Sequence, residues 1–282
     1  MTAEHNLLWA NALNARDGRL KLEAAPYGFI AHGVKSFGTG VAVGDINVIA
    51  AVMEGIDQPV VFAIPGDRPG VTYNYDWHNM GQRRTASGSY TFDKVQISSD
   101  EIVGPPQDTT RAFPTLVFSL SQISITYLGI AEGALNAARD YTLTNSRPWQ
   151  SSGVDQASQA PYIQQKYGEL WAELQAAIAL ADQAAHKIQR GWDRGIQLTA
   201  EDRGEVAIAV AATKTVAIQA GLTIANEIFE VMGARATSSR YGFDRYWRDL
   251  RTFSLHDPKA YKHREIGNWF LNQEYPVPSQ YS

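Results

Sequence analysis

The feature that most constrains this chain is a change of hydrophobic period about a third of the way along it. Up to residue 103, short apolar runs such as "GFIAHGVKSF", "NVIAAVM", "QPVVFAIP" and "SGSYTFDKVQI" are broken by Gly, Pro, Asp and Asn. That rhythm is a β rhythm, with turns at the breaks. Beyond "GPPQDTTRAFP" the spacing becomes helical. Leu116, Leu120, Ile123, Tyr127, Ile130 and Ala134 form one stripe, and Leu170, Leu174, Ile178, Ala181, Ala185, Ile188 and Trp192 a second. A third helix is predicted to open at Thr199, with Asp202 three residues on as a capping box, and to close at Gly233. Its run "VAIAVAATKTVAIQAG" is rich in small residues that let helices approach closely. Two shorter helices follow Gly233.

The chain is therefore expected to be an α+β multidomain protein. An antiparallel β-barrel or sandwich over residues 1–107 precedes an antiparallel four-helix bundle over residues 108–282, with the boundary at residues 104–114. At 282 residues it can bury a sizeable core. The tail "NQEYPVPSQYS" reads as an extended arm suited to a neighbouring subunit.

Composition removes several classes of function. A net charge of −4 gives no basic excess for nucleic acid. No cysteine is present, which excludes disulfides, thiolate catalysis and Cys-ligated metals. The six histidines, His5, His32, His78, His186, His256 and His263, form no pair at metal-ligand spacing, so no metal site is expected. No apolar run is read as membrane-spanning, and the N-terminus has neither the basic nor the apolar region of a secretory signal. A cytoplasmic location is expected. The Gly-Thr-Gly at 38–40 lacks the Lys-Ser/Thr of a phosphate loop, and no strand is followed by a dinucleotide fingerprint.

His256 stands out because it lies at a predicted helix end, where an imidazole can project into a cleft. Asp257 before Pro258 reads as the N-cap of the next helix, with Pro258 in its first turn. Arg147 in "NSRPW" could grip a phosphate or stack on Trp149. Arg245, Arg248 and Arg251, interleaved with Asp244 and Asp249, read as a salt-bridged face.

The segments "DWHNMGQRRTASGSYTFDKVQISSDEIVG", "YLGIAEGALNAARDYT" and "IFEVMGARATSSRYGFDRYWRDLRTFSLHDP" give the chain a likeness to a known family. It resembles the acyl-CoA dehydrogenase superfamily, and within it the flavin-dependent monooxygenase branch typified by dibenzothiophene monooxygenase. The motifs "RPW", "YGFDRYWR" and "SLHDPKAYK" carry the likeness to that branch, which covers nearly the whole chain. It implies oxygen insertion from O2 into an organosulfur or similar small aromatic substrate through a C4a-peroxyflavin. The cofactor implied is reduced FMN from a separate flavin reductase, with FAD possible, in a homotetramer. By the same likeness His256 and Thr39 are the catalytic positions. Asn11, Phe37, Thr39, Trp77, Ser87, Arg147 and Gly233 are flavin- or substrate-pocket positions. Asp257-Pro258 stands where the dehydrogenases of the superfamily carry a catalytic Glu-Gly, which argues against α-proton abstraction. Two alternatives stay open: an FAD-dependent acyl-CoA dehydrogenase, and a non-catalytic flavin-binding or assembly subunit. The superfamily's all-helical N-terminal domain has no counterpart before "NLLWANALNARDGRL".

Overall fold

The computed structural model describes residues 2–14, 16–57, 59–103, 113–279 and 281–282, without the side chains of residues 122 and 123. The chain divides into two compact units, Met1–Pro106 and Gln107–Ser282. Most of the boundary expected at 104–114 lies outside the described residues.

The first unit holds a short helix, α1 (Thr2–His5), and seven strands: β1 (Trp9–Ala12), β2 (Lys21–Ala25), β3 (Gly28–Lys35), β4 (Ile46–Met53), β5 (Val60–Pro65), β6 (Val71–Tyr73) and β7 (Tyr90–Ile97). They form one sheet in the order β1-β4-β2-β3-β7-β6, with β5 on the free edge of β4. The sheet is mixed, which corrects the antiparallel expectation. β4 runs parallel to β1 (Trp9↔Ile46) and to β2 (Lys21↔Val52), and antiparallel to β5. The cause is topological. β1 and β2 point the same way, and β4 crosses over to pair parallel with both. Ala12, Leu20, Leu22, Ile49, Phe62, Ile64, Tyr90, Phe92 and Ile97 fill the core beneath.

A register shift between Ala31 and Gly33 bends β3 against β7. Gly33 has φ +117°, and a Cβ there would sit 2.2 Å from the Arg19 carbonyl oxygen. No side chain fits that position. Gly33→Ala is expected to cost at least about 2 kcal/mol, combining left-handed strain with the collision; the shift of the urea midpoint measures it.

The second unit contains α2 (Phe113–Phe118), a π-helical turn at Ser119–Ser124, α3 (Ile125–Thr144), α4 (Pro161–Arg194), α5 (Ala200–Met232), α6 (Asp244–Phe253) and α7 (Lys259–Asn272). Ends of α5 match their sequence signals. Thr199 Oγ1 accepts from the Asp202 amide at 3.1 Å, Asp202 Oδ2 accepts from the Thr199 amide, and Gly233 turns the chain out at φ +82°. Pairs along α4 and α5 (Lys166 with Glu227, Leu180 with Thr213, Lys187 with Glu205) show the two running antiparallel. Their shared core includes Tyr127, Leu128, Leu170, Leu174, Ile218, Ile224, Ile228 and Leu250.

Helix α5, and the stretch Phe113–Thr144, are in fact long and apolar enough to span a membrane by length and composition, unlike the sequence expectation. For α5 the reason is local: 67% of its most apolar window is buried inside this unit, as for a core helix. The tail also makes contacts within its own unit. Tyr275 packs its ring on Gly204, and buried Arg203 donates to the Ser282 carbonyl. A guanidinium with 1% of its surface exposed needs such an acceptor.

Candidate functional site

Five of the sequence-selected residues come together in the first unit. Asn11 at the end of β1 bridges antiparallel to Thr39. The turn carrying Thr39 is built from Gly38 and Gly40. A Cβ on Gly38 would lie 2.4 Å from the Tyr90 ring, so the turn can approach that close only with glycine. Two backbone bonds pin the turn to the loop before β7: Gly38 N to Gly88 O (3.1 Å) and Gly40 N to Thr85 O (3.0 Å).

Phe37 adopts a left-handed conformation, φ +59°, which turns its ring outward to 58% exposure. The ring meets Trp77 edge-on with centroids 6.1 Å apart. Tyr75, Gln82 and Ala86 in the facing loop are also left-handed. Such positions cost about 1–2 kcal/mol each for a non-glycine residue, so the surrounding bonds must hold the loop in place.

Hydroxyls form a line behind this patch. Thr39 Oγ1 lies 2.9 Å from Ser87 Oγ, Ser87 Oγ 2.6 Å from Thr85 Oγ1, and Thr85 Oγ1 2.8 Å from the Gln82 carbonyl. That carbonyl also accepts from the Trp77 indole at 2.7 Å. Thr85 and Gln82 were not singled out from sequence; a threonine in a polar loop carries no periodic signal. An exposed aromatic pair beside polar, glycine-bounded backbone suits a planar heteroaromatic ring with hydrogen-bonding edges. Asn11, Phe37, Thr39, Trp77 and Ser87 are thus able to hold a flavin ring.

The second unit places its three candidates in two positions. Arg147, exposed, follows Ser146, whose hydroxyl donates to the Met232 carbonyl at 3.0 Å. Arg147 and Gly233 therefore share one end of α5. No ring is recorded stacked on Arg147 among the described residues, and Trp149 stays 75% exposed. The interleaved arginine helix carries an ion pair between Arg248 and Asp244 at 2.8 Å.

His256 lies at the other position. The helix expected to start on an Asp257 cap begins instead at Lys259, with Pro258 as its N-cap. Asp257 is drawn away by a stronger partner. Its carboxylate forms an ion pair with Lys214, which has 1% of its side chain exposed inside α5. It also lies 3.1 Å from His256 Nδ1. Burial acts to raise the Asp257 carboxyl, but the His256 hydrogen bond and the Lys214 charge outweigh it and hold it at about 2. Burial pushes the Lys214 ammonium below the ordinary lysine value, with Asp257 opposing it. Lys214, buried in an alanine-rich helix, was missed from sequence. Tyr127 fixes the same turn, donating its hydroxyl to the Phe253 carbonyl at 3.0 Å.

An ionised Asp257 can only accept, so Nδ1 of a neutral His256 must carry the proton, which leaves Nε2 free. The imidazole is 41% exposed, and is held yet reachable.

The acyl-CoA dehydrogenase C-terminal domain pattern matches residues 121–258. A dibenzothiophene monooxygenase of Mycolicibacterium goodii is 42% identical over 98% of this chain and 71% of its own length. The chain belongs to the flavin-dependent monooxygenase branch of the acyl-CoA dehydrogenase superfamily. Among solved members of this branch, the methanesulfinate monooxygenase MsuC of Pseudomonas fluorescens is 40% identical, with a TM-score of 0.96 over 100% of this chain and 73% of its own. TdsC of Paenibacillus sp. A11-2, solved with FMN and indole, is 38% identical, with a TM-score of 0.93 over 100% of this chain and 74% of its own.

Because Asp257 lies below its ordinary value of 3.8 when folded, the stability it contributes is full above that pH and is lost as pH falls toward 2. Between pH 4 and pH 2 the wild type should lose about 2 kcal/mol more than Asp257→Asn. Denaturant titrations at stepped pH give the comparison.

Proposed function

We propose that this protein is a reduced-FMN-dependent monooxygenase that inserts one oxygen atom of O2 into a small organosulfur compound. The observation that carries the reading is the paired arrangement at His256: a buried, charge-balanced carboxylate holds Nδ1 of an imidazole that is itself 41% exposed. When bound, the reduced flavin supplies the electrons that activate dioxygen. Phe37 and Trp77 offer apolar surface to the ring, and Thr39, backed by Ser87, orients one polar edge. Asn11 adds an amide beside Thr39. His256 takes up or hands over a proton at Nε2. Asp257 and Lys214 keep the ring in one tautomer.

Arg147 and Gly233 suit a phosphate by charge and by open backbone. They lie at the C-terminal end of α5, nineteen residues beyond Lys214, about 28 Å along a rigid helix from the His256 cluster. A homotetramer is part of the same proposal. The same reading makes the helical unit an antiparallel four-helix bundle. It also places the enzyme in the cytoplasm beside a flavin reductase.

The activity is tested with purified protein, FMN reduced by an unrelated reductase, 18O2, and either dibenzothiophene or a short alkanesulfinate. Labelled oxygen in the product is expected, with FMN serving better than FAD. A folded sample that neither binds FMN nor forms labelled product would sink the proposal. His256→Ala should lower coupled product formation by at least about 100-fold while FMN affinity stays within a few-fold. An unchanged yield removes His256 from the chemistry.

A further inference from the structure

Helices α5 and α7 meet along a seam that holds three buried cations, Arg203, Lys214 and Lys262. Of these, Lys214 serves His256 through Asp257. Lys262, in the opening turns of α7, donates to three oxygens: Glu265 Oε2 at 2.9 Å, Glu265 Oε1 at 3.1 Å and the Tyr281 carbonyl. Glu265 is itself fixed by the Ser282 hydroxyl, which donates to it at 3.3 Å, and its charge also steadies the Arg203 guanidinium. The seam thus sets these three cations against two carboxylates, Glu265 and Asp257, and tail carbonyls supply further acceptors.

The place of Lys262 gives this sharing a consequence. With Pro258 as the N-cap of α7, Asp257 is the residue just before the cap and Lys262 the fourth helical residue. Side chains at those two positions often pack against each other across a helix start. Here they carry opposite charges, yet each is held elsewhere: Asp257 by Lys214 and His256, Lys262 by Glu265. Lys214, in contact with Asp257, is near enough to Lys262 for the two ammoniums to repel, and near enough to Glu265 to be attracted. A buried ammonium that loses its carboxylate must find another anion. Asp257 is the one this cluster offers, and sharing it between two lysines would draw it off Nδ1.

We infer that Glu265 is a positioning residue for His256: by holding Lys262, it keeps a second ammonium from taking Asp257 away from the imidazole. This rests on the monooxygenase reading above and deepens it. Asp257 orients the ring by contact, whereas Glu265 acts by restraining a competitor. The tautomer of His256 therefore depends on a carboxylate nine residues further along the chain.

The test reads the tautomer as well as turnover. Protein labelled with 15N-histidine is studied by solid-state NMR, and the His256 signals are identified by their loss in His256→Gln. The neutral ring of the wild type should carry its proton on Nδ1. Glu265→Gln keeps the shape and removes the charge, and should move part of the population to the Nε2-protonated form. Labelled product per reduced FMN consumed should fall at least about tenfold, while FMN affinity stays within a few-fold. The double variant Glu265→Gln/Lys262→Met removes the competitor together with its restraint. It should recover the wild-type tautomer and most of the yield. Should Glu265→Gln not fold, Glu265→Asp keeps the charge but withdraws it by one methylene, and should show the same changes to a smaller degree. An unchanged tautomer and yield in the folded single variant overturns the inference. So does a double variant as impaired as Glu265→Gln, because the loss then comes from packing rather than competition. If the wild type forms no labelled product, the monooxygenase reading itself fails. If it does, and the tautomer ignores Glu265, only the restraint on Lys262 fails.

Discussion

Helix α5 is buried on most of its surface and keeps one narrow exposed stripe through Glu205, Val216, Gln219, Asn226 and Glu230, and the helical unit is arranged around that constraint. A helix of alanines, valines and isoleucines can be packed against α3, α4, α6 and α7 around the rest of its surface, because small side chains let backbones approach. The one ammonium placed in its middle then becomes decisive. A buried Lys214 is tolerable only with a counter-charge, and Asp257 is what the chain supplies. The turn between α6 and α7 is thereby fastened to the core, and His256 is carried with it.

The first unit solves a different problem. Its strands make a stable platform, while the residues with chemical promise sit on loops at its edge. These loops hold several residues in left-handed conformations, kept there by glycine contacts, short backbone bonds and the convergence on the Gln82 carbonyl. Platform and loops divide the labour between stability and geometry.

Much of this was readable from the chain, and the failures have physical causes. Thr199, Asp202 and Gly233 announced α5 because helix ends are local events. β4 and β5 were visible in their β-branched runs, whereas "WANA", "KLEAA" and "VTY" are too short to signal strands. Neighbour order in the sheet was not legible: alternation tells which face a residue takes, not which strand lies beside it. The likeness to a flavoenzyme family picked out Asn11, Phe37, Thr39, Trp77 and Ser87, which meet in one patch. Asp257 was misread because Asp-Pro is a sound local cap signal, and the lysine that overrides it comes much earlier in the sequence. Thr85 carries no periodic signal in the sequence, and its contacts with Gln82 and Ser87 exist only in the folded loop.

The strained loop around Tyr75, Gln82 and Ala86 has a thermodynamic consequence. Its ordering is completed when the chain folds, so a ligand arriving there does not have to freeze a mobile segment, and more of the contact energy appears as affinity. The cost is borne by the sheet, whose cooperativity must exceed the tendency of three non-glycine residues to relax. Stability of the platform and sharpness of recognition are therefore one reserve. A sheet weakened far from the loop would blur binding before it unfolded the protein.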